Sequence, residues 1–463
     1  MSDAPTYSHG IIGAGRSGLA VARLLRSEGE SLLVSDARPA GEMEEARALL
    51  ESIDVEYEFG GHTERLLTAE TIVLSPGVPP DLPILQQARE MGRRITNEIE
   101  IAALRCRGTI VAITGTNGKT TTTELIGHIC RAAGRRTFVA GNVGTPFSAV
   151  VGETDDESVV VLELSSFQLE EIETFHPRVG VLLNVTPDHL DRYPSIEEYG
   201  GAKLRLTMNL DADDTLIYNA DDEWLSRIGA MEFQPRLLPF TLSGELPDGV
   251  EGSTVIDGDL VLLIDGDHES ILPVGRIGIP GPHNIMNAMA AALAARSIGV
   301  DVDAIGRGLT TFRSLPHRME DVGTVDGVRY VNDSKGTNTE ALRCALQSFT
   351  EPIVLIAGGK GKNNVYDELL PLLAARVKAA VLVGDAAEEM ARAFAGSTRI
   401  EQAGYDMARA VDVAAGLAAE GDVVLLSPAC SSFDMFRNFE HRGDVFRALV
   451  AERMIDTNDV QRG

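Results

Sequence analysis

This chain predicts an α/β fold of three successive sheets. Two strand–glycine loop–helix units stand in its first 135 residues, at HGIIGAGRSGLAVARLL and TIVAITGTNGKTTTTELIGHICRAA. Beyond them, β-branched runs alternate with helical patterns almost to the end, as parallel sheets require. A length of 463 residues suits about three domains. The expected layout is an N-terminal Rossmann-like sheet over 1–96, a central phosphate-loop ATPase-type α/β domain over 97–312, and a C-terminal Rossmann-like α/β domain over 313–463.

The first segment carries G-x-G-x-x-G (Gly13, Gly15, Gly18) between a strand and a helix, then SLLVSD ending in Asp36. That is the dinucleotide fingerprint, with an acid where a ribose contact belongs. Alone it leaves open NAD or any other pyrophosphate. ETIVLSPGVPP adds a strand ending in the turn Ser75-Pro76-Gly77.

The second segment opens on Thr109–Thr114, the loop GTNGKT and an amphipathic helix. Backbone N–H groups and the dipole at a helix start attract phosphate. Lys119 supplies a point charge, and the Thr120 hydroxyl can ligate Mg²⁺. The loop is shorter than the standard G-x-x-x-x-G-K-[ST]: Ile113 stands where that pattern puts glycine. A nucleoside triphosphate is the expected ligand. ESVVVLELSSFQLEEI then gives a buried strand ending at Glu163, a carboxylate placed to hold Mg²⁺ directly or through water. The strand tip NVTPDHLDRY carries His189, read as a metal or phosphate group. A capping box, Ser195 with Glu198, starts a helix whose apolar stripe (Ile196, Tyr199, Leu206, Leu210) also takes in Lys203, so that amine should point inward. Residues 253–280 alternate in antiparallel fashion, and GPHNIMN begins a helix bearing Asn284 and Asn287 one turn apart. In the third segment Asp333, Lys335, Thr337, Lys362, Ser432 and Phe439 are expected at or just past strand C-termini, the ligand edge of open α/β sheets.

Composition narrows the partners. A net charge of −28 argues against nucleic acid and anionic membranes. No apolar run is long enough to span a bilayer, and no basic leader precedes the first strand, so a cytoplasmic protein is expected. The four cysteines show no metal spacing and read as small buried groups, not nucleophiles. Only six of the 41 basic residues are lysine, and five of those (Lys119, Lys203, Lys335, Lys360 and Lys362) fall in glycine- and polar-rich motifs. Such acidity is also expected of a salt-tolerant enzyme.

GTNGKT with GNVG (141–144), ELSSFQLE (163–170), NVTPDHLDRY (184–193), AKLR (202–205), GPHNIMN (281–287), LPHR (315–318), NDSKGTN (332–338) and SPACSSFDMFRNFEHRG (427–443) resembles the Mur ligases of peptidoglycan synthesis. The likeness covers the chain in order and is greatest to the D-glutamate-adding branch. It implies an ATP-dependent amide ligase acting on UDP-N-acetylmuramoyl-L-alanine and D-glutamate through an acyl phosphate; a monomer is expected, though no motif sets the oligomeric state. By that resemblance Gly15, Arg16, Ser17, Asp36, Arg38, Ser75 and Gly77 would hold the sugar nucleotide in place of NAD, and Asn142 the substrate side. ATP would lie on Gly115, Thr116, Asn117, Gly118, Lys119, Thr120 and Thr121, with Asn287, Arg318, Asp333 and Lys335. Two Mg²⁺ ions would involve Thr120, Glu163, His189 and Lys203, the last as a carbamate. Thr337, Lys362, Ser432 and Phe439 would hold D-glutamate. Met319 departs from the pattern, where an aromatic is expected.

Overall fold

The computed structural model describes residues 7–188, 192–313, 316–361 and 365–460, without the side chains of 456–460. His189 and Lys362, both expected in the site, therefore lie outside the described residues.

Three sheets form in sequence order, as expected. The first holds β1 (His9–Ile12), β2 (Leu32–Asp36), β3 (Glu56–Phe59), β4 (Thr71–Leu74) and β5 (Arg94–Asn97), in the order β3-β2-β1-β4-β5. All its pairs are parallel. Ile11, Val34 and Val73 pack with Val21 and Leu25 of helix Arg16–Ser27 on one face, while Ile12, Leu33 and Ile72 line the other. Burial on both faces explains why these strands read as continuous apolar runs.

The second sheet holds β6 (Thr109–Thr114), β7 (Thr137–Gly141), β8 (Val159–Glu163), β9 (Val179–Leu182), β10 (Thr215–Asn219) and β11 (Arg236–Phe240), then β12 (Gly252–Ile256), β13 (Asp259–Ile264) and β14 (Asp267–Pro273). The order is β14-β13-β12-β11-β10-β9-β6-β8-β7. The strand feeding GTNGKT is thus interior, flanked by β8 and β9. The antiparallel section is β12–β13–β14, within the segment where alternation predicted it.

The third sheet holds β15 (Glu320–Val325), β16 (Val328–Asn332), β17 (Ile353–Gly358), β18 (Val377–Val383), β19 (Arg399–Gly404) and β20 (Val423–Leu426), ordered β15-β16-β20-β17-β18-β19. Among the described strand pairs of this sheet, only the edge pair β15–β16 is antiparallel.

The chain divides into two compact units: residues 1–274 with 286–310, and 275–285 with 311–463. The first two sheets share one unit, so the expected boundary at residue 96 separates sheets and not compact bodies. It also cuts β5 one residue short. No described helix is long and apolar enough to cross a membrane.

Candidate active site

The central glycine loop is built by its neighbours as much as by its own residues. Ile113 is fully buried in β6 opposite Glu163 of β8, so the strand continues where a longer loop would bend. Gly118 caps helix Lys119–Ala132 with a left-handed φ of 82°, and a Cβ there would lie 2.5 Å from Asn287 Oδ1. Glycine is required on both counts. Asn287 in turn accepts from Thr122 Oγ1 at 3.2 Å, which ties helix Pro282–Ser297 to the loop. Asn184 braces the loop from β9: its Oδ1 accepts from Asn117 N at 2.8 Å, and its Nδ2 donates to Asn117 O at 3.1 Å. Sequence reasoning placed Asn184 at a strand tip but missed this bracing role.

Two lysine amines converge on one carbonyl. Lys119 Nζ donates to Gly115 O and Thr116 O, both at 2.7 Å, and Lys203 Nζ donates to the same Gly115 O at 2.9 Å. Lys203 is 1% exposed and lies over the Tyr199 ring, 4.3 Å from its centroid. Its helix ends at Leu204 and tightens into a 3₁₀ turn, shorter than the stripe to Leu210 predicts. The inward placement of Lys203 stands all the same. Burial, and then the charge of Lys119, hold its pKa well below the ordinary ammonium range, against an opposing pull from Asp188. Both effects favour the neutral amine.

Glu163 ends β8 and is 3% exposed, with Oε1 accepting from Asn142 Nδ2 at 2.9 Å. Thr120 Oγ1 is buried with no hydrogen-bond partner. A buried carboxylate and an unpartnered hydroxyl are hard oxygen donors, so these residues fit Mg²⁺. The backbone of the Asn142 loop is fixed to the same strand tip, with Asn142 N donating to Glu163 O at 2.8 Å. The described thiols are consistent with an inert role. Burial pushes Cys130 and Cys430 up to about 11 and Cys344 to about 12.

In the N-terminal sheet the loop Gly13–Gly18 closes on itself. A Cβ at Gly18 would stand 1.9 Å from Gly13 O, and Ser75 Oγ donates to that carbonyl at 3.0 Å. Asp36 accepts from Ala14 N at 2.8 Å, from Arg38 N at 2.9 Å and from the Arg38 guanidinium at 2.7 and 3.0 Å. Burial alone would raise this carboxyl. The Arg38 and Ala14 donors outweigh it and hold the pKa at about 2. Gly15, Arg16 and Ser17 open the helix, and Arg16 Nη1 reaches Gly144 O at 3.1 Å. Gly77 is exposed at its turn.

The second unit assembles Asp333, Lys335 and Phe439. Asp333 is buried just past β16, accepting from Ser427 Oγ at 2.8 Å and Met319 N at 3.3 Å. Burial pushes its carboxyl up to about 7, against Ser427, Met319 and the Arg318 charge. Lys335 Nζ lies 4.2 Å from the centroid of the Phe439 ring. Phe439 opens the last helix and does not end a strand, a correction to its expected place. Thr337 and Ser432 follow β16 and β20, which are neighbours in the sheet. The residue that organises this loop cluster, Arg442, was not foreseen. It is 1% exposed and donates to Ser334 Oγ at 2.9 Å, Ser334 O at 2.8 Å and Cys430 O at 3.1 Å. Gly443 beside it admits His317, whose Nδ1 would lie 2.1 Å from a Cβ. The R-G pair in FRNFEHRG was the available signal.

Comparison with known proteins identifies the family. The Mur ligase middle domain matches residues 113–295, the glutamate ligase domain of Mur ligases 317–430, and the MurD N-terminal domain 8–84. The chain is similar to the UDP-N-acetylmuramoylalanine–D-glutamate ligase of Salinibacter ruber, at 47% identity over 95% of this chain and 96% of that one. A ligase of the same name from Acidobacterium capsulatum is 44% identical over 95% of each chain. Among solved structures, a MurF ligase from Thermotoga maritima in complex with ADP aligns with a TM-score of 0.60 at 17% identity, covering 98% of this chain and 100% of that one. The UDP-N-acetylmuramate–alanine ligase from the same organism aligns at 0.59 and 20% identity, over 96% and 99%. These two likenesses concern the fold. With three family domains in order and relatives matched over nearly their whole length, the chain belongs to the Mur ligases, within the group of UDP-N-acetylmuramoylalanine–D-glutamate ligases.

Proposed function

We propose that this protein joins the amine of D-glutamate to the alanyl carboxylate of UDP-N-acetylmuramoyl-L-alanine, converting ATP to ADP and phosphate in peptidoglycan precursor synthesis. The observation that carries the reading is the convergence of Lys119 and Lys203 on Gly115, at the same sheet edge as the buried Glu163, which accepts from the exposed Asn142. A carboxylate cannot be displaced by an amine in water until one of its oxygens becomes a leaving group. The substrate carboxylate oxygen attacks the γ-phosphorus, the bond to ADP breaks, and an acyl phosphate results. The amine then attacks the acyl carbon, phosphate departs, and the nitrogen loses its proton.

The chain's residues supply position and charge. Gly115–Thr121 cradle the nucleotide phosphates, and Lys119 offsets charge on the transferring group. Asn287 holds the loop's shape, while Arg318, Asp333 and Lys335 serve the nucleotide. Gly15–Ser17, Asp36, Arg38, Ser75 and Gly77 hold the uridine diphosphate, and Asn142 and His189 the acyl end. Thr337, Lys362, Ser432 and Phe439 take D-glutamate. Thr120, Glu163, His189 and Lys203 would hold two Mg²⁺ ions, which when bound neutralise phosphoryl and carboxylate oxygens. A neutral Lys203 amine can add to CO₂ with loss of one proton, giving a carbamate whose oxygens suit such a cation. The enzyme works as a monomer in the cytoplasm.

The test is phosphate release with UDP-N-acetylmuramoyl-L-alanine and ATP across a panel of amino acids. D-glutamate should stimulate it at least about tenfold more than L-glutamate, L-alanine or L-lysine. Equal stimulation by another amino acid would overturn the assignment.

A further inference from the structure

The link between the first two sheets is made of buried polar residues. β5 ends at Asn97, and the short helix Glu98–Ala103 follows. In the stretch Asn97-Glu98-Ile99-Glu100, all three polar side chains are nearly inaccessible, at 5%, 2% and 0% exposed. Each reaches into the central segment. Asn97 Nδ2 donates to Gln168 O at 2.5 Å, while its Oδ1 caps the helix through Ile99 N and Glu100 N at 3.1 Å. Glu98 Oε1 accepts from Ser148 N at 2.6 Å and Ser148 Oγ at 2.9 Å. Glu100 accepts from the amides of Glu173, Thr174 and Phe175 at 3.1, 2.7 and 3.0 Å, and from the Thr174 hydroxyl.

Burying two carboxyl groups and an amide is costly unless each is paired. Apolar residues would join two sheets with less penalty. What the polar set adds is fixed geometry, because each hydrogen bond holds only at one separation. The partners chosen are informative. Ser148 lies in the 3₁₀ turn Phe147–Ala149, just after the loop that leaves β7 at Asn142, and that loop is bonded to Glu163 through Asn142 N. Gln168 belongs to the helix that follows Glu163, Ser166–Glu170. On the other side, β5 pairs with β4, whose next residue is Ser75 of the nucleotide-sugar turn. A rigid path therefore runs from Ser75 through β4 and β5 to the segments that carry Asn142 and Glu163.

We infer that Glu98 is a positioning residue for the sugar nucleotide, setting through its reach to Ser148 the distance between the site of the diphosphate and the site of the acyl carboxylate. The inference rests on the proposed function, because only a substrate that spans both places feels the distance. Fixing two ends of a reactant is where binding energy becomes orientation. The inference stands on reach: both Ser148 donors fall on Glu98 Oε1, while Oε2 is buried without a hydrogen-bond partner among the described residues.

The experiment compares Glu98→Gln, which keeps length, with Glu98→Asp, which keeps charge and loses one methylene. Calorimetry reads the binding of UDP alone and of UDP-N-acetylmuramoyl-L-alanine to the full chain, and steady-state assays read KM for ATP. Glu98→Gln should stay within about threefold of wild type for both ligands, while Glu98→Asp weakens the full substrate about tenfold with UDP and ATP unchanged. Ser148→Ala, which removes only the hydroxyl, should show a smaller selective loss and serves if Glu98→Asp does not fold. Equal weakening of UDP and the full substrate, or a glutamine variant as impaired as the aspartate one, would overturn the inference. Wild-type protein that binds neither ligand would instead overturn the functional reading.

Discussion

Two glycine loops, each between a parallel strand and a helix, are finished in opposite ways. At the first, a carboxylate closes on the loop: Asp36 takes the Ala14 amide and is itself clamped by Arg38. At the second, two amines close on it, with Lys119 and Lys203 sharing Gly115 O. The backbone pattern is common to both and says only that an anion can approach. The groups packed against each loop decide its chemistry. Arg38 is half exposed and paired, which suits holding a ligand in the ground state. Lys203 is buried, bonded to the Gly115 carbonyl and set over the Tyr199 ring, and its ionisation is already disfavoured. The contrast fits the proposed division, in which the first loop binds and the second transfers.

The largest effect that could break this contrast is at Lys119. Lys119→Ala should lower kcat at least about a hundredfold, ~2.7 kcal/mol of barrier, while leaving the KM for the sugar nucleotide within about threefold. Its side chain lies in the loop and fills no core space, so the melting temperature should stay put. A kcat loss below about tenfold would make both loops mere binding loops.

Lys203→Ala sharpens the comparison next. Activity should fall by about two orders of magnitude, and added formate or acetate should restore part of it by placing a carboxylate where the proposed carbamate would stand. Rescue by methylamine and not by carboxylates would mean the residue acts as an ammonium.

The smallest effect belongs to the first loop. Asp36→Asn should raise KM for UDP-N-acetylmuramoyl-L-alanine several-fold and leave kcat within about threefold. It also has a stability signature. The folded pKa of Asp36, about 2, lies below the unfolded value near ~3.9, so its ionised form stabilises the fold above that upper value and the contribution is lost as pH falls towards 2. Urea midpoints should therefore differ between wild type and variant at pH 5, and the gap should narrow by pH 3. A gap that widens on acidification would contradict the clamp.

Sequence order alone determined a good deal. The strand–loop–helix units, the antiparallel hairpins near 253–280, the inward lysine and the carboxylate ending β8 were all legible, because periodicity, capping residues and glycine positions are local signals. Local signals do not carry distances between segments. Asn184 sits 67 residues from Asn117, which it braces, and Arg442 lies 108 residues from Ser334. The polar link at Asn97–Glu100 stands in sequence only as the expected boundary between the first two domains. Only the fold shows that its acids are buried and what they hold, since a carboxylate's role depends on the donors that tertiary packing brings to it.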